Sequence, residues 1–242
     1  MSLYLELRNK YGLNNPFLLE EISTKENYDV VKTTLSRLVK NNKIRRYSKG
    51  VYYLPTIGVL GKETYPDYEN ILEKKYLKKN GYTIGYYTGY TLLNMVGLTT
   101  QVSNIVEICT NEETNIKRNV KINWHEICLR RPICEITSEN AKYLQFIDIF
   151  RYCDLFVLLE NKDGVREFIK ENNLKRKEIM PYLDFAPHRA VDYMFGSGMF
   201  SELKWQQKIS KRNNKNYFWR NEYKPRIYWK RLLCLDATKR NF

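Results

Sequence analysis

The stretch from Tyr28 to Pro55 restricts the fold of this chain more than any other. Within it an apolar stripe at helical spacing gives way to two short aromatic and β-branched runs separated by Ser48-Lys49-Gly50. Tyr28, Val31, Leu35, Leu38 and Val39 recur at three- and four-residue intervals, which puts them on one side of a helix capped by Asn27 or Asp29. At about 100° per residue, Thr33, Ser36, Arg37 and Lys40 fall away from that stripe and face outward. Ile44 to Tyr47 and Val51 to Tyr53 then change period and predict a β-hairpin. Two shorter helices are expected upstream. Leu3, Leu7 and Tyr11 follow a cap at Ser2 and stop at Gly12, and a second helix takes Asn15 as cap, Pro16 in its first position and Phe17, Leu18 and Ile22 inward. Three helices and then a basic hairpin is the order of a winged helix-turn-helix, whose third helix enters the major groove while the wing straddles the backbone.

Double-stranded DNA is therefore the expected partner. Thr33, Ser36, Arg37 and Lys40 would read bases and phosphates from the helix, and Lys43, Arg45, Arg46 and Lys49 would hold phosphates from the hairpin. An isolated helix face of this kind is usually just solvated; the adjoining basic hairpin tips the reading toward function. Tyr52 and Tyr53 could stack on nucleic acid, but alternation along a strand turns at least one of them into the core.

Charge is distributed to match. The 242 residues carry a net +14, yet the imbalance sits at the ends: residues 1–55 hold 10 Lys and Arg against 5 Asp and Glu, residues 201–242 hold 12 against 3, and the middle holds 19 of each. Two basic segments are the footprint of a polyanion binder, because each neutralised phosphate releases condensed counterions. No run of about 18 apolar residues marks a membrane span, and the start of the chain lacks the layout of a signal peptide. A cytoplasmic protein with no membrane partner is expected, its five scattered cysteines reduced.

Beyond Pro55, Gly58, Gly61 and Pro66 suggest a linker over residues 56–66. A helix is predicted from Asp67 to Lys79 with Gly81 as terminator, another through Thr91 to Val96, and strands at Asn104–Thr110 and Val120–Leu129. Residues 138–200 read as mostly helical.

Two stretches resemble the AbiEi-type antitoxins of type IV toxin-antitoxin and abortive-infection systems, in particular their DUF6088-like branch. One is "TTLSRLVKNNKIRRYSKGVYYLP" (33–55), similar to that family's third helix and wing. The other is "GYTIGYYTGYTLLNMVGLTTQVSNIVEICTN" (81–111), in which Gly89, Asn94, Gly97, Leu98, Thr100, Gln101 and Val102 fall on matching positions. The resemblance covers about the first half of the chain. It implies a repressor that binds the operator of its own operon and counteracts a nucleotidyltransferase-like toxin, without requiring a stable complex with it.

The C-terminal segment interleaves Trp205, Trp219, Tyr228 and other rings with Lys211, Arg212, Lys215, Arg220, Lys224, Arg226, Lys230 and Arg231. Rings offer stacking faces and cations follow a phosphate backbone, so this is either a nucleic-acid or antitoxicity surface, with RNA as a further partner, or a basic subdomain whose rings pack inside. Catalysis has little to stand on. The glycines at 81, 85, 89 and 97 form no phosphate-cradling motif, His125, Cys128 and Cys134 fall short of a four-donor zinc set, and His188, Arg189 and Asp192 match ordinary surface pairs. No enzyme activity, metal or cofactor is expected. The sequence thus predicts a mixed α+β protein: a winged helix-turn-helix (1–55), a linker (56–66) and a larger helix-and-strand antitoxin domain (67–242) ending in the basic segment 201–242. An RNA-binding or RNA-directed protein, or an ordinary winged-helix transcription regulator, is the alternative.

Overall fold

The amphipathic stripe folds as expected except at its first residue, Tyr28, which stays exposed. In the computed structural model, which describes residues 2–101 and 103–203, it forms α3 (Tyr28–Lys40), burying Val31 and Leu35. Ahead of it lie α1 (Leu3–Tyr11), β1 (Pro16–Leu18) and α2 (Leu19–Ile22); after it come β2 (Arg45–Ser48) and β3 (Val51–Tyr53). The second predicted helix is therefore only its last turn. Pro16–Leu18 are extended and pair antiparallel with Val51–Tyr53, making a three-stranded sheet in the order β1-β3-β2. Pro16 opens an edge strand, where its missing N–H breaks no ladder. The Glu21 carboxylate then reaches back to accept from the Leu18 N–H at 3.1 Å and starts α2.

This sheet is covered on both faces. Tyr52 turns toward the helices and shares a core with Leu7, Phe17, Leu35 and Ile44. Val51 turns the other way, into a second core with Ile71, Ile108, Ile127 and Leu129. Both Tyr52 and Tyr53 are buried.

The predicted helix at 67–79 is shorter and less regular. Asp67 caps α4 (Tyr68–Leu72), accepting from the Glu69 N–H, and the chain continues through a π-helical turn at Glu73–Leu77. Lys78–Lys79 (β4) instead pair with Tyr82–Thr83 (β5), across a two-residue turn in which Asn80 and Gly81 both have positive φ. The long predicted strand at 120–129 is also two strands: β8 (Lys117–Ile122) and β9 (His125–Arg130) pair antiparallel around Asn123-Trp124. With β6 (Gly85–Tyr87) and β7 (Val106–Thr110) they form a four-stranded sheet ordered β6-β7-β9-β8, parallel only between β7 and β9. Between β6 and β7 lies α5 (Gly89–Met95).

The remaining described chain is helical: α6 (Ala141–Tyr152), α7 (Leu155–Glu160), α8 (Lys162–Glu171), α9 (Arg176–Leu183), α10 (His188–Gly196) and α11 (Met199–Glu202). They enclose a third core around Phe146, Phe150, Leu158 and Met194, which α5 joins through Leu92 and Leu93. No helix among the described residues is long and apolar enough to cross a membrane. The protein is mixed α+β, as its patterning indicates.

Candidate nucleic-acid interface

Helix α3 lies with its apolar stripe inward, so its opposite side must face water. Thr33, Ser36, Arg37 and Lys40 are all exposed there. Ser36 donates its hydroxyl to the Lys32 carbonyl at 3.0 Å, and Thr34 does the same to Val30 at 2.8 Å. Among the described residues, the Thr33 hydroxyl has no hydrogen-bond partner. Val30, which sequence reasoning passed over, stands 68% exposed on the same side and offers an apolar contact of the kind a thymine methyl takes. Asp29 in the first turn and Arg37 and Lys40 in the last complement the helix dipole.

Lys43, Arg46 and Lys49 are exposed on and before the hairpin. The Lys43 ammonium lies 5.6 Å from the Tyr4 ring, and Arg46 Nε donates to the Ser48 carbonyl at 3.3 Å. Arg45 is different. Its guanidinium forks onto Glu63 at 3.0 and 2.5 Å and also donates to Asn42, so a carboxylate from the 56–66 segment neutralises it. That segment folds back on itself, with Ile57 bridging Glu63, and exposes Val59 and Leu60.

Of the predicted cations, then, only Arg45 has an acidic partner within 4 Å among the described residues. Elsewhere partnering is common: Lys74 faces Glu21, Lys78 Glu73, Lys79 Glu20 and Glu112, Arg118 Glu113, and Arg130 Glu107. One cation that sequence spacing could not associate with the hairpin lies beside it, and a second acts on that one. Lys75 donates to the Lys49 carbonyl at 3.5 Å, and Arg118 is near enough to Lys75 to lower its pKa. The C-terminal cations Lys211 to Arg231 and Val102 lie outside the described residues.

The second matching stretch of the sequence builds a buried junction. Gly89 sits at φ +57, and Glu107 also occupies the space a side chain would need: a Cβ would meet its carboxylate oxygens at 2.5 and 2.6 Å. Glu107 accepts from the Tyr90 N–H at 3.1 Å and from Arg130 Nε and Nη2 at 2.9 and 2.5 Å. Asn94 holds the Thr99 carbonyl, Gly97 ends α5 at φ +73, and Leu98 is buried. Alongside, Asp148 accepts from Thr88 Oγ1 at 2.6 Å and the Tyr86 hydroxyl at 3.1 Å. Burial raises the pKa of Asp148, against the opposing pull of Thr88 and Arg151. These residues pin α5 and α6 to the sheet.

Burial pushes the Cys109 thiol up to about 12 and Cys153 to about 11, and raises Cys128 and Cys134 as well, so none of these four is an activated nucleophile. His125 stacks on Tyr68 at 3.9 Å. Among the described residues no three His, Cys, Asp or Glu side chains gather to hold a metal ion.

The geometry defines a mixed α+β protein that presents an outward polar helix beside a cationic hairpin. The chain belongs to DUF6088, described as a family of unknown function, which matches residues 14–139. That span opens at β1 and closes just before α6. No curated protein and no solved structure matches the chain.

Proposed function

We propose that the N-terminal unit is a winged helix-turn-helix that binds operator DNA, and that the chain is an antitoxin that represses its own operon and counteracts a nucleotidyltransferase-like toxin. The element order α1-β1-α2-α3-β2-β3 and the sheet order β1-β3-β2 support this reading, because they match the order expected of a winged helix in which α3 would be the reading helix and the β2–β3 turn the wing. One observation carries the DNA-binding part. Among the described residues, Arg37, Lys40, Lys43, Arg46 and Lys49 stand exposed without acidic partners within 4 Å, which leaves their charge available to phosphates and base edges. Arg37 is the natural base reader, since its guanidinium can fork onto guanine. The antitoxin part rests on the resemblance of residues 33–55 and 81–111 to AbiEi-type antitoxins.

Fluorescence anisotropy of the full chain on its own promoter duplex and on a scrambled duplex tests the first part. Tighter binding to the promoter at every salt concentration is expected; equal affinity for both would refute operator recognition. Co-expression with the neighbouring open reading frame, scored as growth rescue, tests the second. A chain that binds its promoter yet rescues nothing is an ordinary regulator.

A further inference from the structure

We propose that the phosphate-binding surface continues past the hairpin onto the π-helical turn Glu73–Leu77, where Lys75 contacts the DNA backbone beside the wing. This rests on the DNA-binding reading above. The sequence from Lys74 to Lys79 holds four lysines, three of which face carboxylates: Lys74 and Glu21 at 3.8 Å, Lys78 and Glu73 at 2.5 Å, and Lys79 between Glu20 and Glu112 at 3.4 and 2.7 Å. Lys75 has no such partner within 4 Å among the described residues. Its ammonium instead donates to the carbonyl of Lys49, the first residue of the two-residue hairpin turn, at 3.5 Å. A lysine from the second unit thus lies against the wing turn.

Its surroundings favour an anion. Burial lowers the Lys75 pKa first, Glu20 opposes that, and Lys49 and Arg118 lower it further, so three cations act on one another here. Arg118 stands on the sheet-edge strand β8, half exposed, with its Nε given to Glu113 at 2.7 Å. Like charges drawn together disfavour their own ionised forms, and an anion between them reverses the sign of that interaction. Phosphate suits such a site, because lysine binds it as a point charge without demanding a forked geometry. The π-helical turn fits a functional position as well, since such turns are rare and recur at binding sites.

Lysine acetylation of the wild-type full chain, free and saturated with its promoter duplex and read by mass spectrometry, tests this without altering the fold. Lys75 should be protected by the duplex together with Lys40 and Lys49, while the exposed Lys177 of α9 should react equally in both samples. A second measurement uses Lys75→Met, which keeps the apolar stem. Its plot of log affinity against log salt should be shallower by about 0.9, so a rise from about 50 to about 200 mM salt costs it about 3-fold less affinity than it costs the wild type. Lys75→Arg should restore the slope. If Lys75 acetylates at the same rate with and without DNA, the surface stops at the hairpin, and the DNA-binding reading survives provided Arg46→Ala still flattens the slope. If neither Arg46→Ala nor Arg37→Ala changes binding, both readings fall together.

Discussion

Replacing Gly89 by alanine tests whether the junction beneath the second motif is as tight as its geometry requires. The added methyl group would lie 2.5 and 2.6 Å from the Glu107 carboxylate oxygens, well inside contact distance, at a backbone φ of +57 that already disfavours any side chain. The left-handed backbone costs about 1 to 2 kcal/mol. To admit the methyl, Glu107 must withdraw from Arg130 and from the Tyr90 N–H, and with both partners largely buried that loss is of the order of 3 kcal/mol or more. A total of about 4 to 5 kcal/mol or more lowers the melting temperature by at least roughly 8 to 20 °C in a chain of this size. Gly97→Ala is the control. It has a similar φ of +73 but nothing within 4 Å of its Cβ, so it should suffer only the backbone cost. Urea unfolding followed by circular dichroism measures both. If Gly89→Ala is no less stable than Gly97→Ala, the Glu107 carboxylate is not lodged against the Gly89 backbone and the account of this motif is wrong.

Arg37→Ala should lose about 1 to 3 kcal/mol of operator binding and relax sequence preference at one base position while stability changes by less than about 0.5 kcal/mol; anisotropy on a panel of single-base operator variants would reveal unchanged preference if α3 does not read bases. Glu63→Gln releases Arg45, which is held by that carboxylate, so non-specific DNA affinity should rise and the salt slope should steepen by up to about 0.9; an unaltered slope would mean Arg45 does not face the DNA. Glu113 is buried, which raises its pKa, but hydrogen bonds from the Asn115 backbone and Arg118 outweigh burial and leave it lowered. Its contribution to stability is therefore present above the ordinary value of 4.5 and lost as pH falls through the lower folded value, so Glu113→Gln should flatten that part of the acid unfolding curve and an equally steep curve would contradict it. A fragment ending at Pro55 should fail to fold, seen as loss of cooperative thermal unfolding by circular dichroism, because it strips the outer face of the β1-β3-β2 sheet; a cooperative transition would show the unit to be self-sufficient.

What was legible in the sequence follows the range of the forces involved. Helix α3 was plain because Val31, Leu35, Leu38 and Val39 repeat over a long enough stretch to exclude a strand. Residues 16–22 were too short for that. Phe17, Leu18 and Ile22 suit a helix, and a proline fits a helix start as well as an edge strand, so pairing with Val51–Tyr53 decided the matter. At 80–81 the Asn-Gly pair signals a hairpin turn, but the lysines around it carry no alternating pattern to announce strands. The Asn123-Trp124 turn has neither glycine nor proline, and only the left-handed backbone of Asn123, at φ +57, betrays it. The candidate interface divides the same way. Its cations on α3 and the hairpin are neighbours in sequence and were found together, whereas the Glu63 that claims Arg45 and the Lys75 that reaches Lys49 are 18 and 26 residues away and meet them only through folding.

Those long-range contacts bear on how the wing can work. A wing with one free face can bend to follow a DNA groove, but here β3 is buried on both faces, Tyr52 against the helices and Val51 against the second sheet. Stripping cover from Val51 alone costs about 1.5 to 3 kcal/mol, and Tyr53 adds to that, so the wing does not part from the second sheet for the sake of one or two extra phosphate contacts. Tyr47 and Tyr53 extend the attachment through Tyr65 and Trp124, whose ring centroids lie 6.1 to 6.4 Å from these tyrosines and from each other. On the proposed DNA-binding reading, a duplex would then meet a preset spacing between α3 and the hairpin turn, a spacing held partly by residues of the second sheet. This is also the sense in which the DUF6088 span is a physical unit. It contains the β2–β3 hairpin, the loop carrying Glu63 and the sheet beneath them, so on the proposed reading a substitution in the β8–β9 turn would change how DNA is held without any residue of that turn touching a base.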